Sequence, residues 1–204
     1  DSSSLSGNKI NSLYQDKPGR ILVGTNQGFN VFDLNSHSVK RYLNADYGLH
    51  NSRKNQVNFI TKSSDGIYWA ATNFGLVEYN PVNGESIRHL NKPDDPNSLS
   101  GSRVRVVFED SRLRIWVGTE SGLSLFSRKK AAFRNFHYQQ DDPLSLSSDF
   151  VESIFEDKSG GFWIGTDGGG INLFNQNDST FARVSSGTGT IQEISNGRIY
   201  DIME

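Results

Sequence analysis

Residues 151–170 read VESIFEDKSGGFWIGTDGGG, and this stretch decides the fold because its pattern recurs along the chain. The dipeptide Gly165-Thr166 has counterparts at Gly24-Thr25, Ala71-Thr72 and Gly118-Thr119, so successive threonines lie 47 residues apart. A constant period of this length indicates one supersecondary unit copied several times. We therefore expect the recurring residues to hold the scaffold and the function to lie where the copies differ.

The third copy shows the internal pattern of the repeat most clearly. Short runs rich in β-branched and aromatic residues, separated by turn residues, predict strands at 103–110, 115–119, 123–126 and 133–138. Four short strands in about 40–50 residues is the period of a propeller blade.

The sequence thus predicts an all-β fold, a β-propeller built from four-stranded antiparallel blades. About four blades and one extra strand fit within a single propeller segment covering 1–204. The expected blades span approximately 7–46, 54–93, 101–140 and 148–186, and 196–204 is expected to be the first strand of a fifth blade.

Composition excludes several classes of function. A net charge of −2 over 204 residues does not favour binding to nucleic acid or to a membrane surface. No run approaches the roughly 18 apolar residues of a membrane span. The absence of cysteine excludes disulfides and thiolate chemistry. The four histidines have no metal-ligand spacing, so neither a metal nor a cofactor is predicted.

Bulky and minimal side chains recur at fixed places in the copies. We expect Trp69, Trp116 and Trp163 to fill the wedge between facing sheets, with sugar stacking as the alternative. Glycines in the second strands are expected where a neighbouring backbone or ring comes close, namely at Gly24, Gly118 and Gly165. His89 and His137 are expected on exposed outer edges.

The spacing Val151-x-x-Ile154-x-x-Asp157-x-x-Gly160-x-x-Trp163-Ile164-Gly165-Thr166 resembles the two-component regulator propeller repeat. Residues 104–126 resemble it as well, and the Asp-Pro-x-Ser-Leu-Ser crossovers at 95–100 and 142–147 are typical of that family. The departures are Leu22 in place of Trp, Ala71 in place of Gly, and Arg112-Leu113-Arg114 where a Gly is usual.

The resemblance implies a sensor region of a bacterial transmembrane protein. Such propellers lie in the periplasm, typically have seven blades, and precede an output such as a histidine kinase or diguanylate cyclase. Some are thought to sense oligosaccharides. The resemblance therefore implies that this chain is a fragment of a larger sensor, attached to the membrane only through parts absent from it, or an assembly completed by a second chain.

Candidate ligand-binding residues lie where the copies vary around one end of the predicted blades. The positions just before the first strands are Lys9, Gln56, Arg103, Phe150 and Arg198. The matching turns between second and third strands contribute Asn73, Glu120 and Asp167. Amide, charged and aromatic side chains together suit a polar ligand such as an oligosaccharide, and they suit a peptide equally well.

No catalytic residue is predicted. The paired acids at 94–95 and 141–142 adjoin prolines in crossover loops, where aspartate favours turns. Residues 103–134 carry eight basic and three acidic side chains; we interpret them as a solvated surface, with a patch for an anionic ligand or partner as the alternative.

Three functions remain open. The favoured one is a non-catalytic sensor segment, the second a protein-interaction propeller without a small ligand, and the third a propeller lyase or glycosidase. Because four blades without closure would leave two blade faces open, we also expect self-association, as a homodimer.

Overall fold

The computed structural model describes residues 4–42, 54–184 and 197–203. Within these ranges, sixteen strands form four separate four-stranded antiparallel sheets, and each sheet uses four consecutive strands. The same ranges contain no helix able to cross a membrane. The predicted fold class, an all-β protein of four-stranded propeller blades, is confirmed.

The strands are short and their bounds recur in step with the repeat. The first sheet contains β1 (Ile10–Lys17), β2 (Arg20–Thr25), β3 (Gly28–Asp33) and β4 (Ser38–Tyr42). The second contains β5 (Val57–Lys62), β6 (Tyr68–Thr72), β7 (Gly75–Tyr79) and β8 (Ser86–His89). The third contains β9 (Val104–Glu109), β10 (Ile115–Thr119), β11 (Gly122–Ser127) and β12 (Ala132–Phe136). The fourth contains β13 (Val151–Glu156), β14 (Phe162–Thr166), β15 (Gly170–Asn175) and β16 (Thr180–Arg183).

The chain divides into two compact units, residues 1–90 and 91–204, and each unit contains two sheets. In the first unit, one apolar cluster joins the first and second sheets around Leu22, Phe29, Val57, Ile60 and Tyr68. The Phe29 ring stacks on Tyr42 with centroids 4.9 Å apart. A sheet with two apolar faces gains stability by packing on its neighbour in this way.

The second unit buries a cluster dominated by aromatic rings between the third and fourth sheets. Trp116 of β10 packs on Phe162 and Phe174 of the fourth sheet, with centroids 4.8 and 5.2 Å apart. The crossover residue Leu146 is fully buried in the same cluster. Its burial therefore fixes the crossover against the fourth sheet.

The second-strand glycines receive an aliphatic side chain, and this corrects the expectation of a backbone or ring. A Cβ built on Gly24 would lie 2.8 Å from Val57 Cγ1, and one on Gly118 would lie 2.6 Å from Val151 Cγ1. A Cβ on Gly165 would lie 2.7 Å from Ile199 Cγ2. The missing Cβ of each glycine therefore leaves room for the β-branched residue that begins the next copy.

The repeated threonine closes the turn between second and third strands. Thr119 Oγ1 donates to the Gly122 carbonyl at 3.0 Å and accepts the Ser121 amide at 3.0 Å. It also bonds the crossover hydroxyl of Ser100 at 3.0 Å. In the fourth sheet Thr166 bonds the crossover hydroxyl of Ser147 in the same way, but its carbonyl partner is Gly170, four residues on rather than three, so this turn holds one residue more.

The tryptophans differ in burial. Trp69 and Trp116 are fully buried, as predicted, whereas Trp163 is only half-buried and lines an open groove with Ile202 and Met203. His89 is also unlike its prediction: its side chain is 12% exposed, its ring stacks on Trp69 with centroids 6.2 Å apart, and its Nε2 lies 2.9 Å from Glu78 Oε2. His137 is exposed, as expected.

Residues 197–203 follow the fourth sheet, and no strand is assigned to them, unlike the predicted first strand of a fifth blade. They are held by the Ile199 amide on the Thr166 carbonyl at 3.1 Å and by Ser153 Oγ on the Ile199 carbonyl at 3.3 Å.

Candidate functional site

Each innermost strand contains a β-bulge at the same place. The register of β1 with β2 skips Asn11, that of β5 with β6 skips Asn58, that of β9 with β10 skips Arg105, and that of β13 with β14 skips Glu152. A bulge inserts one unpaired residue and re-aims its side chain, and bulges are over-represented beside functional sites. The bulge recurs in every copy while its side chain differs in chemistry. The repeat therefore presents different side chains at the same place in each sheet.

The predicted candidate residues lie at the same end of the sheets as these bulges. In every copy, the amide of the residue after the repeated threonine donates to the carbonyl of the residue that lies two positions before the bulge. The pairs are Asn26 with Lys9 at 3.0 Å, Asn73 with Gln56 at 3.1 Å, Glu120 with Arg103 at 3.1 Å, and Asp167 with Phe150 at 2.8 Å. The backbone thus brings each pre-strand position to its own turn, as the sequence predicted.

In the first unit the site is an amide network. Gln56 Nε2 donates to Asn58 Oδ1 at 3.2 Å, and Asn58 Nδ2 donates to Asn73 Oδ1 at 2.9 Å. The bulge residue Asn11 donates to the Val57 carbonyl at 2.8 Å. Lys9 is exposed. Gln56 and Asn73 therefore meet through Asn58, a residue that was not among the predicted candidates.

In the second unit the centre of the site is the carboxylate of Glu152, whose side chain is only 5% exposed. Arg105 contacts both of its oxygens, with Nε at 3.0 Å from Oε2 and Nη2 at 3.3 Å from Oε1. Arg198 approaches from the other side, with Nε at 3.0 Å from Oε1 and Nη2 also bonded to it. Two arginines from flanking segments thus converge on one buried acid.

Phe150 lies beneath the same two arginines. The guanidinium carbons of Arg105 and Arg198 each lie 5.7 Å from the centroid of its ring. The ring is half-buried, so part of it stays open to solvent. Arg198 also lies 4.7 Å from the centroid of the exposed Tyr200 ring. A partly open ring with fixed polar groups around it can stack on the apolar face of a ligand while the polar groups bond its edges.

The charges of this cluster balance. Arg198 Nε lies 3.3 Å from Asp167 Oδ2, and Arg103 Nη1 lies 2.8 Å from Glu120 Oε1. The hydrogen bond to Glu152 raises the pKa of Arg198, so this guanidinium stays charged. Three arginines thus face three carboxylates. Among the described residues, no group of three or more His, Asp or Glu side chains is arranged to hold a metal ion.

Sequence reasoning did not select Arg105 and Glu152 as site residues, whereas Arg198 is one of the predicted pre-strand positions. Arg105 and Glu152 lie two residues beyond Arg103 and Phe150, and side chains at positions i and i+2 of a strand share a face. Arg198 is the fifth-copy equivalent of Phe150. Counting two residues on from Arg103 and Phe150 would have named Arg105 and Glu152, although not the bulges in which they lie.

Comparison with known proteins agrees with this architecture. The family model of the two-component regulator propeller matches residues 4–27 and 145–168. No curated protein sequence matches the chain.

Solved propellers have the same fold. The extracellular domain of BT4673 from B. thetaiotaomicron, assigned to one-component and to hybrid two-component systems, is 20% identical and matches with TM-scores of 0.74 and 0.73. The match covers 96% of this chain and 25% of that domain, so the chain spans a quarter of its length. The extracellular domain of the hybrid system BT3049 is 24% identical, with a TM-score of 0.59, over 87% of this chain and 30% of that one.

A more distant propeller also matches. The WD40 β-propeller domain of Doa1 is 13% identical, with a TM-score of 0.56, over 86% of this chain and 51% of that domain. Residues 4–27 and 145–168 thus match the two-component regulator propeller that the sequence resembles, and the solved structures share the propeller fold.

Proposed function

We propose that this chain is a non-catalytic, extracytoplasmic ligand-sensing segment of a bacterial transmembrane signalling protein, located in the periplasm. The family-model match and the likeness to extracellular domains of hybrid two-component systems support a sensory role. The observation that carries the proposal is the set of bulge residues, which we call the bulge row: Asn11, Asn58, Arg105 and Glu152. The most informative of them is Glu152, which Arg105 and Arg198 both bind while their guanidinium groups lie over the Phe150 ring.

The chemistry of the second unit favours a neutral ligand rich in hydroxyl groups, such as an oligosaccharide. Arg103, Arg105 and Arg198 are matched by three carboxylates, so the cluster offers donors and acceptors without a large net charge. Sugar hydroxyls can bond both kinds of group, and the apolar face of a pyranose can stack on Phe150. The amide network of Gln56, Asn58 and Asn73 offers similar chemistry in the first unit.

The same contacts argue against hydrolysis or elimination at this place. A general acid or base must be able to exchange a proton with the substrate. Glu152 is almost wholly buried and its oxygens are engaged by two guanidinium groups. We therefore assign the carboxylate the task of fixing Arg105 and Arg198, which in turn present their remaining donors to a ligand.

Binding is tested by thermal shift of the whole chain against a panel of neutral oligosaccharides, followed by calorimetric titration of any hit. A ligand that binds only the folded state raises the melting temperature by an amount that grows with the logarithm of one plus the ratio of its concentration to Kd. Phe150→Ala is expected to weaken binding about tenfold, since losing a stacked ring costs on the order of 1.4 kcal/mol. Arg198→Ala is expected to weaken it further.

Tyr138→Ala is the matched control. Tyr138 is another partly exposed ring, and the Arg183 guanidinium lies 5.7 Å from its centroid. It is not one of the residues around Glu152. It should leave binding unchanged. A flat response to the whole panel, combined with specific capture of a protein, would instead favour the protein-interaction function.

We also propose self-association. On β1, Leu13 is 64% and Ile10 45% exposed, unusual values for large apolar side chains of a first strand. Light scattering of the chain at micromolar concentration is expected to show a dimer that Leu13→Ser weakens. A monomer at all concentrations would refute this part of the proposal.

A further inference from the structure

A groove of about 760 Å³ lies on the third sheet, within the second unit. It is bordered by the hairpin between β9 and β10, the hairpin between β11 and β12, and the crossover residues Pro96 and Asn97. Both hairpins are at the opposite end of the sheet from the bulge and the turn of the candidate site. The groove is therefore separate from the ligand site proposed above.

The inner surface of the groove is apolar. Ile115, Phe126 and Phe133 are almost completely buried there, and the Phe126 and Phe133 rings lie 4.9 Å apart. The side chain of Leu113 is 63% exposed at its border. A cavity of this size, with an apolar floor, is typical of sites that take a small organic molecule with one or two rings.

The rim is basic. Five cationic side chains line the groove, and no acidic residue is among the lining residues that the structure describes; the five are Arg114, Arg128, Lys129, Lys130 and Arg134. Arg114 is engaged by Asp110 at 2.6 Å. Lys129 and Lys130 are exposed at the tip of the β11–β12 hairpin, and no ion pair of theirs is found among the described residues. The positive charge of this rim contrasts with the cluster around Glu152, where arginines and carboxylates balance.

We propose that this groove binds a small amphipathic anion, whose apolar body lies on Phe126, Phe133 and Leu113 and whose anionic head lies at the Lys129-Lys130 tip. An anion beside the exposed Lys129 and Lys130 gains charge-assisted hydrogen bonds, which a neutral molecule of the same shape cannot form. The edge strand β12 is covered in part by the crossover, since the Phe133 amide donates to the Asn97 carbonyl at 2.8 Å. An added peptide strand therefore fits this edge less well than a compact molecule.

The test uses two fluorescent probes of similar shape, anilinonaphthalene sulfonate and the uncharged phenylnaphthylamine, titrated into the folded 204-residue chain. The sulfonate is expected to bind more tightly, with one probe per chain. The double variant Lys129→Gln/Lys130→Gln should weaken sulfonate binding about tenfold and leave the uncharged probe within about twofold.

Two further variants separate the apolar and the charged contributions. Leu113→Asn suits the positive φ of 61° at this position and should weaken both probes about threefold, because it removes part of the apolar border. Lys17→Gln, at an exposed hairpin lysine of the first sheet, should change neither. Equal affinity of the two probes, or sulfonate binding unchanged in the Lys129→Gln/Lys130→Gln variant or in Leu113→Asn, would overturn the proposal.

Discussion

Trp163 Nε1 donates a hydrogen bond to Asp157 Oδ2 at 2.6 Å, across the hairpin between β13 and β14. The third sheet repeats the arrangement, with Trp116 Nε1 at 2.8 Å from Asp110 Oδ2. The other oxygen of Asp157 accepts the amides of Ser159 and Gly161, each at 2.8 Å. One carboxylate therefore both closes the hairpin and orients the large ring of its sheet.

These bonds make the stability of the fourth sheet sensitive to acid. The Ser159 hydroxyl and the Trp163 indole lower the pKa of Asp157 from 3.8 to about 2. Because the folded-state pKa is depressed, the contribution is fully present above pH 3.8 and is lost as the pH falls through about 2. Asp157→Asn is expected to lower the midpoint of urea unfolding at neutral pH and to flatten its pH dependence between these values.

The control for that experiment is Asp178→Asn, in the exposed hairpin between β15 and β16. It also bonds a nearby hydroxyl, that of Thr180, but touches no tryptophan. The Asp178→Asn variant should show the same fall in its urea unfolding midpoint at low pH as the wild type. An Asp157→Asn variant whose unfolding midpoint follows the wild-type pH curve would show that this carboxylate does not carry the effect.

Leu113 occupies a backbone position that the other three copies give to glycine. Its φ is 61°, whereas Gly19, Gly66 and Gly160 have φ of 78°, 90° and 85° at the same place in the repeat. The left-handed conformation costs a residue with a Cβ about 1–2 kcal/mol. Leu113→Gly is therefore expected to stabilise the chain by about 1 kcal/mol in urea unfolding, after the extra unfolded-state entropy of glycine is allowed for.

The reverse change provides the control. A Cβ on Gly66 would meet nothing within 4 Å, so Gly66→Ala changes only the backbone preference. It should destabilise the chain by about 1 kcal/mol. If Leu113→Gly destabilises instead, the contacts of the leucine with the neighbouring groove outweigh its backbone strain.

The architecture could be predicted from the sequence because it depends on local signals that repeat. The alternation in 104–109 and 123–126, the turn glycines and the constant spacing of Thr25, Thr72, Thr119 and Thr166 each determine a strand or a turn within a few residues. The pre-strand positions and their matching turns were identified by the same logic, and the backbone bond between Asp167 and Phe150 joins one turn to its pre-strand position.

The bulges and the ion pairs could not be predicted in the same way. Whether Glu152 is skipped depends on how β13 registers with β14, and the sequences of the two strands do not state that register. The pairing of Glu152 with Arg198 joins residues 46 positions apart, and nothing local to either side chain indicates it. The half-buried state of Trp163 likewise depends on what packs beyond its sheet.

The close packing of Val57 on Gly24 can be tested with a double-mutant cycle in the first unit. A Cβ on Gly24 would lie 2.8 Å from Val57 Cγ1, so Gly24→Ala should cost about 1–3 kcal/mol of unfolding free energy through overpacking. Val57→Ala opens space at the fully buried Val57 and should cost about 2–3 kcal/mol. Since each change relieves part of the other, the double variant should be at least about 1 kcal/mol more stable than the sum predicts.

A pair of changes in different units serves as the reference for additivity. Gly24→Ala combined with Ile164→Val, in the core of the second unit, should give the sum of the two single effects. Additive costs for Gly24→Ala and Val57→Ala would show that the two residues do not share one packing site.

The first sheet has Leu22 where the later sheets have tryptophan, and its hairpin acid has different partners. The side chain of Asp16 is fully buried and contacts Arg20 and Lys62, with Lys62 Nζ at 2.8 Å from Oδ1. Burial alone would raise the pKa of Asp16, but the bonds from Lys62 and Arg20 outweigh it and lower the pKa. Asp16→Asn should therefore cost about 3 kcal/mol of unfolding free energy, because two cations lose their buried counter-ion.

Tyr68 completes this cluster and should make it sensitive to alkali. Its hydroxyl lies 3.0 Å from Arg20 Nη2 and 3.3 Å from Asp16 Oδ2, and burial raises its pKa to about 12. The folded-state pKa is raised, so the contribution to stability is fully present below pH 10 and is lost as the pH rises through about 12.

Ultraviolet titration of the folded chain should show a tyrosine that ionises near pH 12, and Tyr68→Phe should remove that step while costing about 1 kcal/mol at neutral pH. Tyr200→Phe, at a ring that is 70% exposed, should leave the step in place; its persistence in Tyr68→Phe would assign the late ionisation to another tyrosine.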